Sequence, residues 1–126
     1  MKKKTGQLEH IKRMDVIEPA TYNLSVNPFM HTNLDVSTGH LTEKDNDLLT
    51  EAGEGESGNP IVAYIYEYGY FVFVPEKDEG LNQHAETYGY SKTFTKTMTR
   101  ARELKCKYIQ FDSVGVQYDD LEVFDW

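Results

Sequence analysis

Strand-favouring residues crowd one stretch of the chain, Ile61 to Pro75 (IVAYIYEYGYFVFVP), where eleven of fifteen are Ile, Val, Tyr or Phe. β-Branched and aromatic side chains suit a pleated, half-buried surface, so this stretch predicts two strands joined at Glu67-Tyr68-Gly69-Tyr70. Gly69 supplies the positive φ that a tight hairpin turn demands. Successive side chains of a strand alternate, so Ile61, Ala63 and Ile65 share one face and Tyr64, Tyr66 and Tyr68 the other. If helices cover the aliphatic face, the tyrosines form an outward ladder; if both faces are covered, they belong to the core. Tyrosines are amphipathic and enriched at interfaces, which makes an outward ladder a binding surface.

Helical periods flank this centre. Thr42-Glu43-Lys44-Asp45 has the spacing of a capping box, acids fill the first turns, and Gly53 follows Ala52 as a stop. A helix over 43–52 follows, with Leu48 and Leu49 on its buried face. A second helix spans 91–105: Ser91 is its N-cap, and Phe94, Met98, Ala101 and Leu104 make one apolar stripe. Lys92, Lys96 and Arg100 share another face, read as solvated. Further strands are expected at Tyr22–Val26, Leu34–Ser37 and Tyr108–Phe111, with Val116–Tyr118 returning. Residues 53–60 read as a loop and 76–80 as a charged turn, while the two aromatics of Leu121–Trp126 suit a docked segment. The fold class is α+β: a small, mostly antiparallel sheet of about four to six strands with two helices packed on one face. Residues 1–14 are lysine-rich and weakly patterned, a flexible basic tail ahead of one domain over 15–126.

Composition narrows the class. A chain of 126 residues, 39% hydrophobic, buries a sufficient core without a metal or disulfides. Cys106 is its only cysteine, so no internal disulfide forms; with no signal peptide and no apolar run of membrane length, a soluble cytoplasmic protein is expected. Net charge is −8, unevenly spread: residues 1–14 balance to +4 and 92–107 to +5, against acidic clusters at 43–56 and 108–126. The acidic total argues against general nucleic-acid binding.

Candidate chemistry gathers where a strand meets a helix N-terminus. There Asp35, Ser37, Thr38, His40 and Thr42 crowd together, and free backbone N–H groups with Gly39 and Thr42 would hold an anion. A histidine beside a carboxylate acts as a general base, so His40 with Asp35 or Asp112 forms the catalytic candidate. The other reading is that His40 and Thr42 only shape and cap the helix. His10, His31, His40 and His84 are scattered and Cys106 lacks a CxxC neighbour, so neither metal nor cofactor is expected.

Three blocks together resemble a known family: Leu34–Thr42 (LDVSTGHLT), Tyr68–Pro75 (YGYFVFVP), and Ala101–Asp112 (ARELKCKYIQFD) running on to Phe124-Asp125-Trp126. They are similar to small bacterial proteins grouped as domain of unknown function 5983. Members carry a Ser-Thr-Ala-His-like block, a Gly-aromatic strand and a closing aromatic-Asp-Trp; here Gly39 stands in place of the alanine. The resemblance covers residues 34–126. It implies cargo of plasmids, phages and integrated elements, brings no catalytic residues, and draws attention to Ser37, Thr38, His40, Asp112 and Trp126. The expected function is a non-enzymatic protein-interaction module whose partner is another protein, with a homodimer through the hairpin edge also open. The alternative is a small enzyme or anion-binding domain centred on His40.

Overall fold

A computed structural model of the protein describes residues 11–14 and 31–126. Its elements in order are β1 (Ile11–Met14), β2 (His31–Ser37), a single 3-10 turn (Thr38–His40), α1 (Glu43–Gly53), β3 (Ala63–Tyr66), β4 (Gly69–Phe73), α2 (Leu81–Tyr88), α3 (Lys92–Glu103) and β5 (Tyr108–Asp112). The five strands form one sheet in the order β1-β2-β5-β4-β3. Only β2 and β5 run parallel, in the register Leu34↔Ile109 and Val36↔Phe111; every other pair is antiparallel. The fold is α+β, with a mostly antiparallel sheet.

Alternation along the strands sorts the side chains. Leu34 and Val36 of β2, Ile109 and Phe111 of β5, Tyr70 and Val72 of β4 and Ala63 of β3 enter the core. There they meet Leu48 and Leu49 of α1 and Phe94, Met98 and Ala101 of α3, the stripe that the helical period picks out. Phe94 is stacked on Phe111 at 6.0 Å between ring centroids. Tyr70 brings a hydroxyl into this layer and satisfies it on Asn46 Oδ1 at 2.7 Å.

One buried carboxylate ties two helix starts together. Thr42 Oγ1 accepts the Asp45 N–H (2.9 Å) and Asp45 Oδ2 accepts the Thr42 N–H (3.0 Å), a full capping box on α1. Asp45 also accepts the Ser91 N–H and hydroxyl at 2.8 and 2.6 Å, while Ser91 caps α3 through the Phe94 N–H. Charge-assisted bonds of this kind make a fully buried carboxylate tolerable.

Three differences from the sequence reading have physical causes. Helix α2, a third helix, lies in a stretch that the reading left without an element. Its apolar stripe is short, Leu81, Ala85 and Tyr88 with only Ala85 fully buried, and its other signals are Gly80 before it and Gly89 after it. Of the stretch expected as a flexible tail, Ile11–Met14 is an edge strand on β2, because main-chain pairing asks little of side-chain pattern. Residues 1–10 and the strand expected at Tyr22–Val26 lie outside the described residues. Gly69 opens β4 rather than sitting within the turn, and a Cβ there would lie 1.9 Å from the Phe111 carbonyl oxygen. Its φ of +156 is the positive value expected there, and the close approach of β5 adds a second reason for glycine.

Candidate functional site

All three helices pack on the Leu34–Phe111 side, which leaves the other sheet face to the alternate residues. Toward β2 that face is closed, with Asn33, Asp35 and Ser37 buried. Across β5, β4 and β3 it opens onto Tyr108, Gln110, Phe71, Phe73, Tyr64 and Tyr66. The rings interlock by edges and tilts, as their quadrupoles favour: Tyr66 on Phe71 at 4.7 Å, and Tyr108 against Phe73, Phe71 and Tyr64 at 6.1, 6.4 and 6.4 Å. Tyr64 and the turn residue Tyr68 are 53% and 54% exposed, while Tyr66 is half-buried between them. The aliphatic face of β3 does meet the helices, since Ile61 and Ala63 are buried and Ile65 packs beside Gly53. The tyrosines therefore stand outward.

Polar groups at the edge of this surface hold it in place. The Tyr66 hydroxyl donates to Asp112 Oδ2 at 2.5 Å and accepts from Gln110 Nε2 at 3.1 Å. Asp112 Oδ1 accepts the Val114 N–H and so also closes the turn after β5. Burial, then the Asp112 carboxylate, push the Tyr66 phenol well above the usual tyrosine range, so it stays protonated and acts as a donor at neutral pH. The surface offers ring faces, the fixed Tyr66 hydroxyl and a hairpin edge. Such a surface binds by stacking and shape.

The strand–helix junction is built differently. Ser37 Oγ accepts the Gly39 N–H at 2.9 Å, and the Thr38 carbonyl accepts the Leu41 N–H. With Thr42 and Asp45 engaged in the capping box, the N–H groups of Gly39, Thr42 and Asp45 are already taken. His40 is 1% exposed. Its Nδ1–H donates to the Glu122 carbonyl at 2.7 Å and its Nε2 accepts the Tyr118 N–H at 2.9 Å. Burial lowers its pKa, in keeping with a neutral ring. Against the general-base expectation, both His40 nitrogens go to the main chain in this arrangement, to the Glu122 carbonyl and the Tyr118 N–H.

The role of His40 is to hold the C-terminal segment. Phe124 N–H bonds the Gly39 carbonyl and Trp126 Nε1 bonds the Leu41 carbonyl, both at 2.9 Å, so the segment is laced along the 3-10 turn. The Tyr118 hydroxyl adds a bond to the Asp35 carbonyl at 2.8 Å. Asp112 bonds the Tyr66 hydroxyl and the Val114 N–H, Asp35 sits on β2 opposite Gln110, and His40 faces the C-terminal segment. Ser37, Thr38, His40, Thr42 and Trp126 thus come together as structure, and Tyr64, Tyr66, Tyr68 and Asp112 as a surface. Phe71, Phe73, Tyr108 and Gln110 were missed as members of that surface; alternation carried across β4 and β5 points to them.

Among the described residues, no group of three or more His, Cys, Asp or Glu side chains is placed to hold a metal ion. No helix there is long and apolar enough to cross a membrane. No curated protein and no solved structure matches the chain. A family model does: the chain belongs to the family of unknown function DUF5983, whose C-terminal domain matches residues 33–126.

Proposed function

We propose that this chain is a non-enzymatic protein-interaction module whose contact surface is the aromatic sheet face of Tyr64, Tyr66, Tyr68, Phe71 and Tyr108. The observation that carries the reading is that half of each outer tyrosine is open to solvent while Ile61, Ala63, Tyr70 and Val72 on the opposite face are buried. Rigid aromatics give large contact area at small cost in side-chain freedom, the composition that interface centres favour. The family resemblance extends the reading to a bacterial, cytoplasmic accessory protein of a mobile element such as a plasmid or phage. The partner is then a host or element protein, and the acidic net charge of −8 favours one with a basic rim.

The test replaces Tyr64 with a photo-crosslinking amino acid in one variant and Glu103, on the helix side, in another. Each is exposed to a bacterial lysate, with and without the Tyr68→Ser change. A protein crosslinked from position 64, absent from position 103 and weakened by Tyr68→Ser, supports the module and identifies the partner. Equal products from both positions would overturn it.

A further inference from the structure

Where β4 leaves the sheet and β5 enters it, the molecule carries a cleft of roughly 530 Å3, within the span of small-molecule sites. One wall is apolar, made by Phe73, Val74 and Pro75. The other brings Arg102 from the last turn of α3 and Lys105 and Lys107 from the turn between α3 and β5, with Glu76 also in the lining. Among the described residues these three cations form no ion pair; the pairs found there are Lys92–Glu86 and Arg100–Asp120. Arg102 is held by its Nε on the Pro75 carbonyl at 3.0 Å, and its buried Nη2 finds no acceptor among the described residues.

The end of α3 gives an independent reason to look here. Cys106 N–H bonds the Ala101 carbonyl (2.9 Å) and Lys105 N–H the Arg102 carbonyl (3.0 Å), a Schellman closure. That closure sets Lys105 at φ +63, the left-handed position that glycine ordinarily fills. A lysine kept in a glycine slot, with its side chain on a cleft, is backbone strain located at a site. The closing N–H groups also occupy carbonyls at the negative end of the helix, so an arriving anion meets the cations instead.

We propose that this cleft binds a small organic phosphate monoester. Three cations less Glu76 leave a local charge near +2, which matches the roughly −1.5 to −2 of a phosphate monoester at pH 7. The Cys106 thiol in the lining adds no negative charge, because burial pushes its pKa up to about 11. The apolar wall suits the organic part of such a ligand. A nucleic-acid strand is disfavoured, since a polymer of phosphates meets the whole −8 charge of the chain. A single phosphate senses only charges within a screening length of ~8 Å. This inference stands apart from the aromatic-face reading and does not depend on it.

The test is calorimetric titration of the full chain with adenosine 5′-monophosphate, inorganic phosphate, adenosine and a short single-stranded oligonucleotide. The monophosphate binds most tightly, inorganic phosphate more weakly, and adenosine not at all. Lys105→Gly is the decisive variant: glycine fits φ +63, so thermal stability rises while monophosphate affinity falls about tenfold. Lys107→Gln weakens binding as well, and Lys96→Gln, away from the cleft, leaves it unchanged. The proposal is overturned if the monophosphate gives no heat, if adenosine binds equally, or if Lys105→Gly binds like wild type. The last result would mean that the cations serve only the helix dipole. Tighter binding of the oligonucleotide would overturn it in favour of a nucleic-acid site.

Discussion

The two faces of one sheet use the same strands for opposite ends. On β4, Tyr70 and Val72 are buried beneath α1 and α3, while their neighbours Phe71 and Phe73 stay half open on the far side. The covered face is mixed aliphatic and aromatic and seals its one hydroxyl on Asn46 and Thr50. The open face is almost wholly aromatic and fixes the Tyr66 hydroxyl on Asp112 at the rim. Stability is thus concentrated on one side. The other side is free to vary in chemistry at little cost to the fold.

The sharpest way to break this contrast is to hollow the covered face. Phe94→Ala removes a fully buried ring stacked between Tyr90 and Phe111 and lowers unfolding free energy by about 4 kcal/mol, read from the urea midpoint. On the open face the effects shrink. Tyr66→Phe deletes the donor to Asp112 and costs about 1 kcal/mol by the same measurement. The double change Tyr64→Ser and Tyr68→Ser shifts stability by less than about 0.5 kcal/mol per site. A loss above 2 kcal/mol in that pair would mean the open face is core, and the contrast would fail.

A pH series sharpens the comparison through the junction beside the covered face. Burial lowers the pKa of His40 and keeps its ring neutral in the fold, whereas an unfolded histidine titrates near the ordinary value of about 6.5. Its contribution is therefore complete above pH 6.5 and is lost as pH falls from there through the lower folded value. Wild type is expected to lose more stability between pH 7.5 and 5.0 than His40→Asn, which does not titrate. Equal slopes for the two would remove His40 as the acid-sensitive link.

Much of this architecture was legible because it rests on local pattern. The hairpin follows from alternation, α1 from its capping box and α3 from an apolar stripe behind Ser91. What escaped the sequence depends on partners far along the chain. His40 meets main-chain groups 78 and 82 residues away, and nothing in a local window distinguishes it from a base. The aromatic surface was half seen: the tyrosines of β3 stand out, but Phe71, Phe73 and Tyr108 join them only once β5 is known to lie beside β4. Lys105 escaped for the opposite reason, since a lysine gives no outward sign of occupying a glycine position.

The place of β5 also sets an order of events in synthesis. It follows the other four described strands in the chain, yet it lies between β2 and β4 and is parallel to the first of these. While it is still inside the ribosome, β2 and β4 each present an unpaired edge, and the hairpin has no neighbour to shield its aromatic side. The newborn chain therefore waits, with two sticky edges, for its central piece. A chaperone would meet it at that stage, and a stalled or truncated message would yield an aggregating fragment rather than a smaller working domain.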